Sequence, residues 1–412
     1  MSNTTVASTA SEPRAATPNP RSPKTLRAAF LIGHIGDGWI GGVNYFRNLF
    51  AALGELPERT VEPVLLFGQK SDGKHYRDFP WIQTIRTSYL DRLHPAWFLR
   101  RMVQKAFGGD AAFNLLLKRH RIGFQSHVFG VASRSAVPTA GWIPDFQHIH
   151  LPEFFPDAEL KSRDDQMRRI ARFCHAIILS SHDARNDLAK FAPESVAKSH
   201  VLHFVANVPE AKNVPSAAAL AEKYQLRGPY FHLPNQFWAH KNHLVVVRAL
   251  RILKEQGRTA QVVATGNPKD TRQPDHFQKL MDLARQLGVG DAEFRVLGLV
   301  SFPDLVGLME NSVALINPSF FEGWSTTVEE AKSLGKRIIL SNLGVHQEQN
   351  PPGAVYFDPK SPENLAARMS EVLADSSFDA SAMRERARLD FPERRREFGR
   401  EYCRLARKIV GA

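Results

Sequence analysis

Two carboxylates, Glu322 and Glu330, lie eight positions apart in the stretch Pro318-Ser319-Phe320-Phe321-Glu322-Gly323-Trp324-Ser325-Thr326-Thr327-Val328-Glu329-Glu330-Ala331. What they can do depends on what separates them, a glycine followed by a helix start. A helix start offers backbone N–H groups and the positive end of the helix dipole, which suits an anionic phosphate. A carboxylate placed beyond it accepts hydrogen bonds from ribose or sugar hydroxyls. Without such a setting, two glutamates on a loop and a helix are simply solvated charges, so the surrounding elements decide.

Those elements are readable. Val313-Ala314-Leu315-Ile316 is a short apolar run of the kind a buried parallel strand shows. Val328, Ala331 and Leu334 recur at helical spacing, Thr326 and Glu329 have the spacing of a capping box, and Gly335 ends the run. The pattern predicts strand, loop, helix, with Glu322 on the loop and Glu330 one to two turns into the helix.

Three more segments occupy strand-to-helix junctions. Residues 229–233 read as a strand and 243–256 as a helix with Leu244, Val247, Leu250 and Leu253 on one face; Gln236 and Lys241 stand between them. A lysine at a helix N-terminus opposes the dipole, a mild cost that an anionic partner removes. The run Gly36-Asp37-Gly38-Trp39-Ile40-Gly41-Gly42 follows a strand at 27–33 and opens a helix at 43–53. Glycines there let backbone approach a ligand closely, although a tight turn needs them equally. Gly36, Gly38 and Gly41 have the spacing of a dinucleotide fingerprint. The nearest candidate acid, Glu62, begins the next strand (61–67) instead of ending it, which argues against a nicotinamide oxidoreductase. Finally, a strand at 140–143 leads into Pro144, Asp145, His148 and His150, whose histidines suit a loop-packing role as well as a chemical one. Ser181, after a strand at 176–180, reads as a helix cap.

The Glu322–Glu330 stretch resembles the E-x7-E signature of retaining, GT-B-fold glycosyltransferases of family 4. The likeness extends to Leu297-Gly298-Leu299-Val300-Ser301 before it and Ser341-Asn342-Leu343-Gly344-Val345-His346-Gln347-Glu348 after it. It is specific over 297–348 and looser in the N-terminal half. The resemblance implies an α/β protein of two doubly wound Rossmann-like domains facing a central cleft. It also implies transfer of a hexosyl group from a nucleotide-diphosphate sugar, a co-substrate and not a cofactor, with retained configuration, no metal and front-face attack by the acceptor hydroxyl. By the same likeness, Glu330 would bind the ribose and Glu322 the transferred sugar, near the Gly323 and Trp324 amides. Lys241, the helix start at Ser325–Thr327 and the Gly41-Gly42 loop would stabilise the leaving diphosphate, with Asp145 orienting sugar or acceptor. The chain departs from the pattern twice: Gln236 stands where an arginine for the diphosphate is expected, and Pro144 where a histidine reaching the sugar is expected. His148 and His150 are the stand-ins for that histidine, and another cation would replace the arginine. Asp164-Asp165, the nearest thing to a metal-binding acid pair, falls in a predicted helix.

Composition sets the bounds. With 412 residues the chain is long enough for two or three domains, and a hydrophobic fraction of 43% supports sizeable cores. Two cysteines, Cys174 and Cys403, rule out a disulfide framework and offer no metal-ligand cluster, so a cytoplasmic compartment is expected. The net charge of +12 favours anionic partners; no nucleic-acid-binding module is recognisable. No apolar run has the length of a membrane span, and no signal-peptide core is seen.

Composition predicts a disordered tail (1–25), and the alternation of strand and helix patterns predicts two domains (26–212 and 213–392) and a C-terminal helix (393–412), with a linker around 205–228; the likeness implies that the first domain is the acceptor side and the second binds the nucleotide sugar. The likeness implies that this last helix packs back on the first domain. The segment 92–107 mixes basic and aromatic residues at helical spacing, a pattern that fits an anionic membrane surface beside a glycan or lipid-linked acceptor, or a helix packed on its own domain. Cell-surface polysaccharide or O-antigen synthesis on the inner membrane face is the family-level expectation. The alternative is a non-catalytic sugar-nucleotide- or partner-binding protein, motivated by Gln236 and Pro144.

Overall fold

The computed structural model describes residues 25–32, 39–71, 73–107, 109–131, 133, 135–206, 208 and 213–411. Gly36, Asp37 and Gly38 of the glycine run, and all but the last residue of the expected tail, lie outside them.

Apolar runs bounded by turns become most of the strands of two wholly parallel sheets. The first contains β1 (Leu26–Phe30), β2 (Val61–Phe67), β3 (Gln83–Arg86), β4 (Phe124–Val128), β5 (Thr139–Ile143), β6 (Ala176–Leu179) and β7 (Ser199–Val201), in the order β3-β2-β1-β4-β5-β6-β7. The second contains β8 (Tyr230–Leu233), β9 (Gln261–Thr265), β10 (Phe294–Gly298), β11 (Leu315–Asn317), β12 (Ile338–Ser341) and β13 (Val355–Phe357), in the order β10-β9-β8-β11-β12-β13. Strands buried on both faces must be covered by helices. Around the first sheet these are α1 (Ile40–Gly54), α2 (Pro95–Phe107), α3 (Ala111–Arg119), α4 (Gln147–His150), α5 (Asp157–Phe173) and α6 (His182–Phe191). The second has α7 (Ala217–Tyr224), α8 (His243–Glu255), α9 (His276–Gln286), α10 (Phe302–Asn311), α11 (Thr326–Leu334), α12 (Gly344–Gln349) and α13 (Pro362–Ala374). The fold is therefore α/β, GT-B in arrangement. Strand order reverses at β1/β4 and at β8/β11, and crevices for ligands form at the carboxyl ends of such strands.

A last helix, α14 (Ala380–Val410), ties the two halves. It is longer than the 393–410 segment that periodicity alone marks out. Its first turns lie on the second domain, where a Cβ on Gly335 would meet Met383 O at 2.5 Å. Arg394 donates to the buried Glu329 at 2.7 Å. Pro392, inside the helix, lacks the N–H of an interior turn. Beyond it, Phe398, Tyr402, Cys403, Leu405 and Ala406 enter the core of the first domain. Gly399 allows α14 to cross α1 closely, since a Cβ there would meet Ala52 O at 2.9 Å.

Two expectations need correction. Thr326 and Glu329 do not form a capping box: Ser325 is the N-cap, accepting from Val328 N, and Glu329 is buried against Arg394 and Lys332. The expected linker contains a helix, α7, capped by Ser216. β3 and β7 carry no apolar run to read in the sequence, because only Ile85 of β3 and Ser199 of β7 are buried.

Tyr402 is wholly buried and its hydroxyl donates to Ser126 Oγ at 3.0 Å. Tyr402→Ala should lower the denaturant midpoint of the first domain by the equivalent of about 3–5 kcal/mol, while Tyr402→Phe should cost only about 1 kcal/mol. Equal effects of the two substitutions in equilibrium unfolding would show that the ring does not anchor α14.

Candidate active site

The loops at the carboxyl ends of β4, β5, β8 and β11 enclose a cavity of about 600 Å³ between the two domains. Glu322, Asp145 and Lys241 line it, as do Gly41, Gly323, Trp324, Ser325 and Thr326. Gly42, Gln236 and Glu330 do not border it directly.

Lys241 and Glu322 form the centre of the second-domain wall. Lys241 ends a short turn before α8; Glu322 stands on the loop after β11. Lys241 Nζ donates to Glu322 Oε1 at 2.7 Å, and both side chains are largely buried. Ser319 Oγ lies 2.7 Å from the same oxygen and Asn317 Nδ2 at 3.4 Å. Burial alone would raise this carboxyl, but the charge of Lys241, aided by His346 and the two short hydrogen bonds, outweighs it and holds the group at about 2. Glu322 is thus ionised at neutral pH, and all these contacts fall on Oε1. Oε2 makes no hydrogen bond among the described residues and is the oxygen left for a ligand.

α11 begins beside this pair. Ser325 caps it, and Gln349 holds the backbone of Ser325 from both sides, through Oε1 at 3.1 Å and Nε2 at 3.0 Å. Ser325, Thr326 and Thr327 face the cavity, so a helix start points into it. Glu330 follows one turn after Thr326 on the same helix face. It is half-buried and meets no cation among the described residues; desolvation raises its carboxyl to about 7.

The first domain supplies the opposite wall. Gly41 and Gly42 lie in the first turn of α1 and not in a loop, so it is this helix start that faces the cavity; Gly42 is packed under Trp39. Tyr45, Phe129, Trp142 and Phe204 add aromatic faces. Asp145 accepts from Arg163 Nη2 at 2.6 Å and from the Gln147 amide at 3.0 Å. Pro144 presents its backbone carbonyl to Gly323, where a Cβ would come within 2.3 Å. The two domains meet there with no room for a side chain.

Neither expected histidine stand-in lines the cavity. His148 is buried and bonds Asp164 at 2.9 Å, while His150 bonds Asp187 at 2.8 Å. His240 lines it instead, pushed down to about 3 by burial and the Lys241 charge, and therefore neutral. Gln236 is also diverted: its Oε1 accepts from Asn267 N at 2.7 Å, pinning the loops after β8 and β9 together. Two guanidinium groups border the cavity in its place. Arg163 comes from α5 of the first domain; Arg272 comes from the loop after β9, reaching across to Glu159 at 2.8 Å and lying over Phe155. Sequence reasoning missed His240, Arg163 and Arg272. The one local signal was Asp270, whose carboxylate holds the amides of Ala239, Arg272 and Gln273 and so fixes the loop carrying Arg272.

Residues 194–390 match the protein family described as "Glycosyl transferases group 1". The chain is 23% identical over 225 residues to the serotype-specific mannosyltransferase WbdA of Escherichia coli, a match over 52% of this chain and 27% of that protein. The chain thus spans about a quarter of the length of the curated relatives it matches. Among solved structures, a glycosyltransferase from Rickettsia africae superposes with a TM-score of 0.65 at 16% identity, covering 94% of this chain and 99% of that one. Anabaena Alr3699/HepE in complex with UDP and glucose gives 0.65 at 16%, covering 92% and 98%. The lipopolysaccharide outer core galactosyltransferase WaaB gives 0.58 at 16%, covering 94% and 99%.

Because the fold holds the Glu330 proton up to about pH 7 against an ordinary value of 4.5, the folded chain binds that proton more tightly than the unfolded one. Stability therefore rises as pH falls from about 7 towards 4.5, and ionisation above 7 costs stability. Glu330→Gln should melt higher than the wild type above pH 7, with the difference shrinking as pH falls and vanishing only below about pH 4.5; a pH-independent difference in melting temperature would remove the assigned desolvation.

Proposed function

We propose that this chain, a GT-B protein carrying a group 1 glycosyltransferase domain, transfers a hexosyl group from a nucleoside-diphosphate sugar to a glycan or lipid-linked acceptor with retention of configuration. The observation that carries the reading is the Lys241–Glu322 pair beside the capped start of α11, in a cavity between two domains. In the transfer, the acceptor hydroxyl oxygen bonds to the anomeric carbon as the bond from that carbon to the diphosphate oxygen breaks. The hydroxyl proton passes to the departing phosphate oxygen on the same face. Negative charge grows on the diphosphate, and fixed positive groups in a dry site stabilise it. Lys241, the amides of Ser325–Thr327 and the start of α1 at Gly41 are those groups, with Arg272 or Arg163 taking over what an arginine at position 236 would do. No metal is required in this scheme. Glu322 Oε2 binds the transferred sugar, and Glu330 accepts from the ribose hydroxyls. Aromatic faces on the first-domain wall offer apolar surface to the acceptor.

Cell-surface polysaccharide or O-antigen assembly is the setting we propose, supported by the likeness to a serotype-specific mannosyltransferase and a lipopolysaccharide outer core galactosyltransferase. No helix among the described residues is long and apolar enough to cross a membrane. α2 offers a different contact. Phe98, Leu99 and Met102 are 48%, 63% and 69% exposed, beside Arg101 on the same helix. This amphipathic face would rest on the anionic inner leaflet.

A non-catalytic nucleotide-binding role is the second reading, favoured by Gln236 being turned away and Pro144 being pressed against Gly323. Thermal-shift measurements with UDP, GDP, ADP, dTDP and NAD separate the readings when paired with turnover. One nucleoside diphosphate should stabilise the wild type by about 2.7 kcal/mol at a hundredfold excess over its dissociation constant, and Glu330→Ala much less. Donor hydrolysis or transfer should persist in EDTA and fall at least about a hundredfold in Lys241→Ala. Binding without turnover would establish the second reading, and stabilisation by NAD alone would defeat both. For the membrane contact, flotation with phosphatidylglycerol vesicles should carry the wild type and leave Phe98→Ser/Leu99→Ser/Met102→Ser behind; equal flotation would remove α2 from that role.

A further inference from the structure

α5 has two working faces. Arg163, Gln166 and Met167 turn towards the main cavity, whereas Lys161, Ser162, Asp165 and Arg169 line a second basin of about 410 Å³. Phe129 and Gln166 border both, and Gln166 Nε2 donates to Phe129 O at 3.0 Å, so one hydrogen-bonded wall stands between the two spaces. Lys161 and Arg169 stand eight residues apart, about 12 Å along the helix.

These two cations are uncompensated. Among the described residues neither forms an ion pair or a hydrogen bond. Asp165, one turn from each, is the single carboxylate among the residues lining the basin, and it ion-pairs with neither. On α14 the opposite holds: Arg388 pairs with Glu385 at 2.7 Å and Arg396 with Glu393 at 2.9 Å, and Arg400 and Arg404 bond Glu397. The cationic row continues with Arg168 and Arg172 into an adjoining depression of about 350 Å³. Arg168 is held over the Phe191 ring, while Arg169 remains free to reach into the first basin.

We propose that Lys161 and Arg169, with Ser162, form an acceptor subsite for a phosphate-bearing group, so that the acceptor is an anionic molecule whose reacting hydroxyl enters the main cavity past Phe129. The proposal rests on the reading of the main cavity as the donor site. A phosphate there gains charge-assisted hydrogen bonds from an ammonium and a guanidinium. The shared chemistry is a phosphate or diphosphate ester, whether on a lipid carrier or on a free sugar phosphate.

The test titrates inorganic pyrophosphate and farnesyl diphosphate calorimetrically into the full chain, alone and saturated with whichever nucleoside diphosphate stabilises it. Lys161→Ala/Arg169→Ala is compared with the charge-preserving Lys161→Arg/Arg169→Lys; both positions are exposed, so the fold is retained. With nucleotide bound, the wild type should still take up a diphosphate. The alanine pair should weaken it roughly tenfold or more, the exchanged pair should keep it, and nucleotide affinity should be unchanged in both. Tighter binding of farnesyl diphosphate assigns the site to a lipid-linked acceptor, and equal binding of both probes to a free phosphate ester. No diphosphate binding once the nucleotide is in place, or equal binding by the alanine pair, overturns the proposal. Failure of every nucleotide to bind defeats the donor-site reading separately, since the titrations without nucleotide still report on the basin.

Discussion

A carboxylate taken out of water must be paired, and in this protein that requirement organises the site. Glu322 is buried and ionised because Lys241 lies 2.7 Å away, and removing one partner of such a pair leaves an uncompensated charge worth about 3–5 kcal/mol. The two residues belong to loops after different strands, β8 and β11, which neighbour each other in the sheet only because strand order reverses there. Asn317, Ser319, Ser325 and Gln349 then hold the β11 loop and the start of α11 in one hydrogen-bonded unit. A phosphate entering beside Lys241 would meet a group already positioned, at little cost in reorganisation.

The same loop sets how the domains meet. Gly323 allows the Pro144 carbonyl to approach as no other residue could. Next to it, Trp324 donates to Phe204 O at 3.1 Å and stacks on His203 at 4.4 Å. Glu348 reaches from α12 to the start of α6, accepting from His182 N at 2.7 Å and Asp183 N at 3.1 Å, and from His203 at 2.6 Å. α14 straps the two halves from behind. The departure at position 236 thus has a structural explanation, since glutamine ties two loops of one domain; at position 144 the contact across the cleft is made by a backbone carbonyl, which any residue would supply.

The first-domain wall is built on buried polar packing. His127, at a positive φ of 54°, sits where the β4–β5 register shifts. Tyr45 lies 2.7 Å from one ring nitrogen and Ser126 2.7 Å from the other, and Tyr402 of α14 closes the chain. Such a network costs stability unless fully bonded, and a single well-defined arrangement of Tyr45 and Trp142 under the cavity is what it secures.

Several features were present in the sequence itself. The strand, loop and helix around Glu322 and Glu330, the βα alternation and the position of Lys241 follow from period, caps and glycines, because those patterns act over a few residues. Other features were not. Ser325 displaces Thr326 as the cap because Gln349, twenty-four residues on, fixes its backbone. Glu329 looks like a capping acid, yet it is buried by Arg394 from a helix sixty-five residues away. Gln236 looks like a ligand, yet Asn267 occupies it; Arg163, Arg272 and His240 become cavity residues only when two domains face each other. Local spacing determines which elements form and which side chains stand at their ends. Which of those side chains share a cavity, and which are consumed by other partners, depends on contacts between residues tens to hundreds of positions apart, and only the packed tertiary structure decides it.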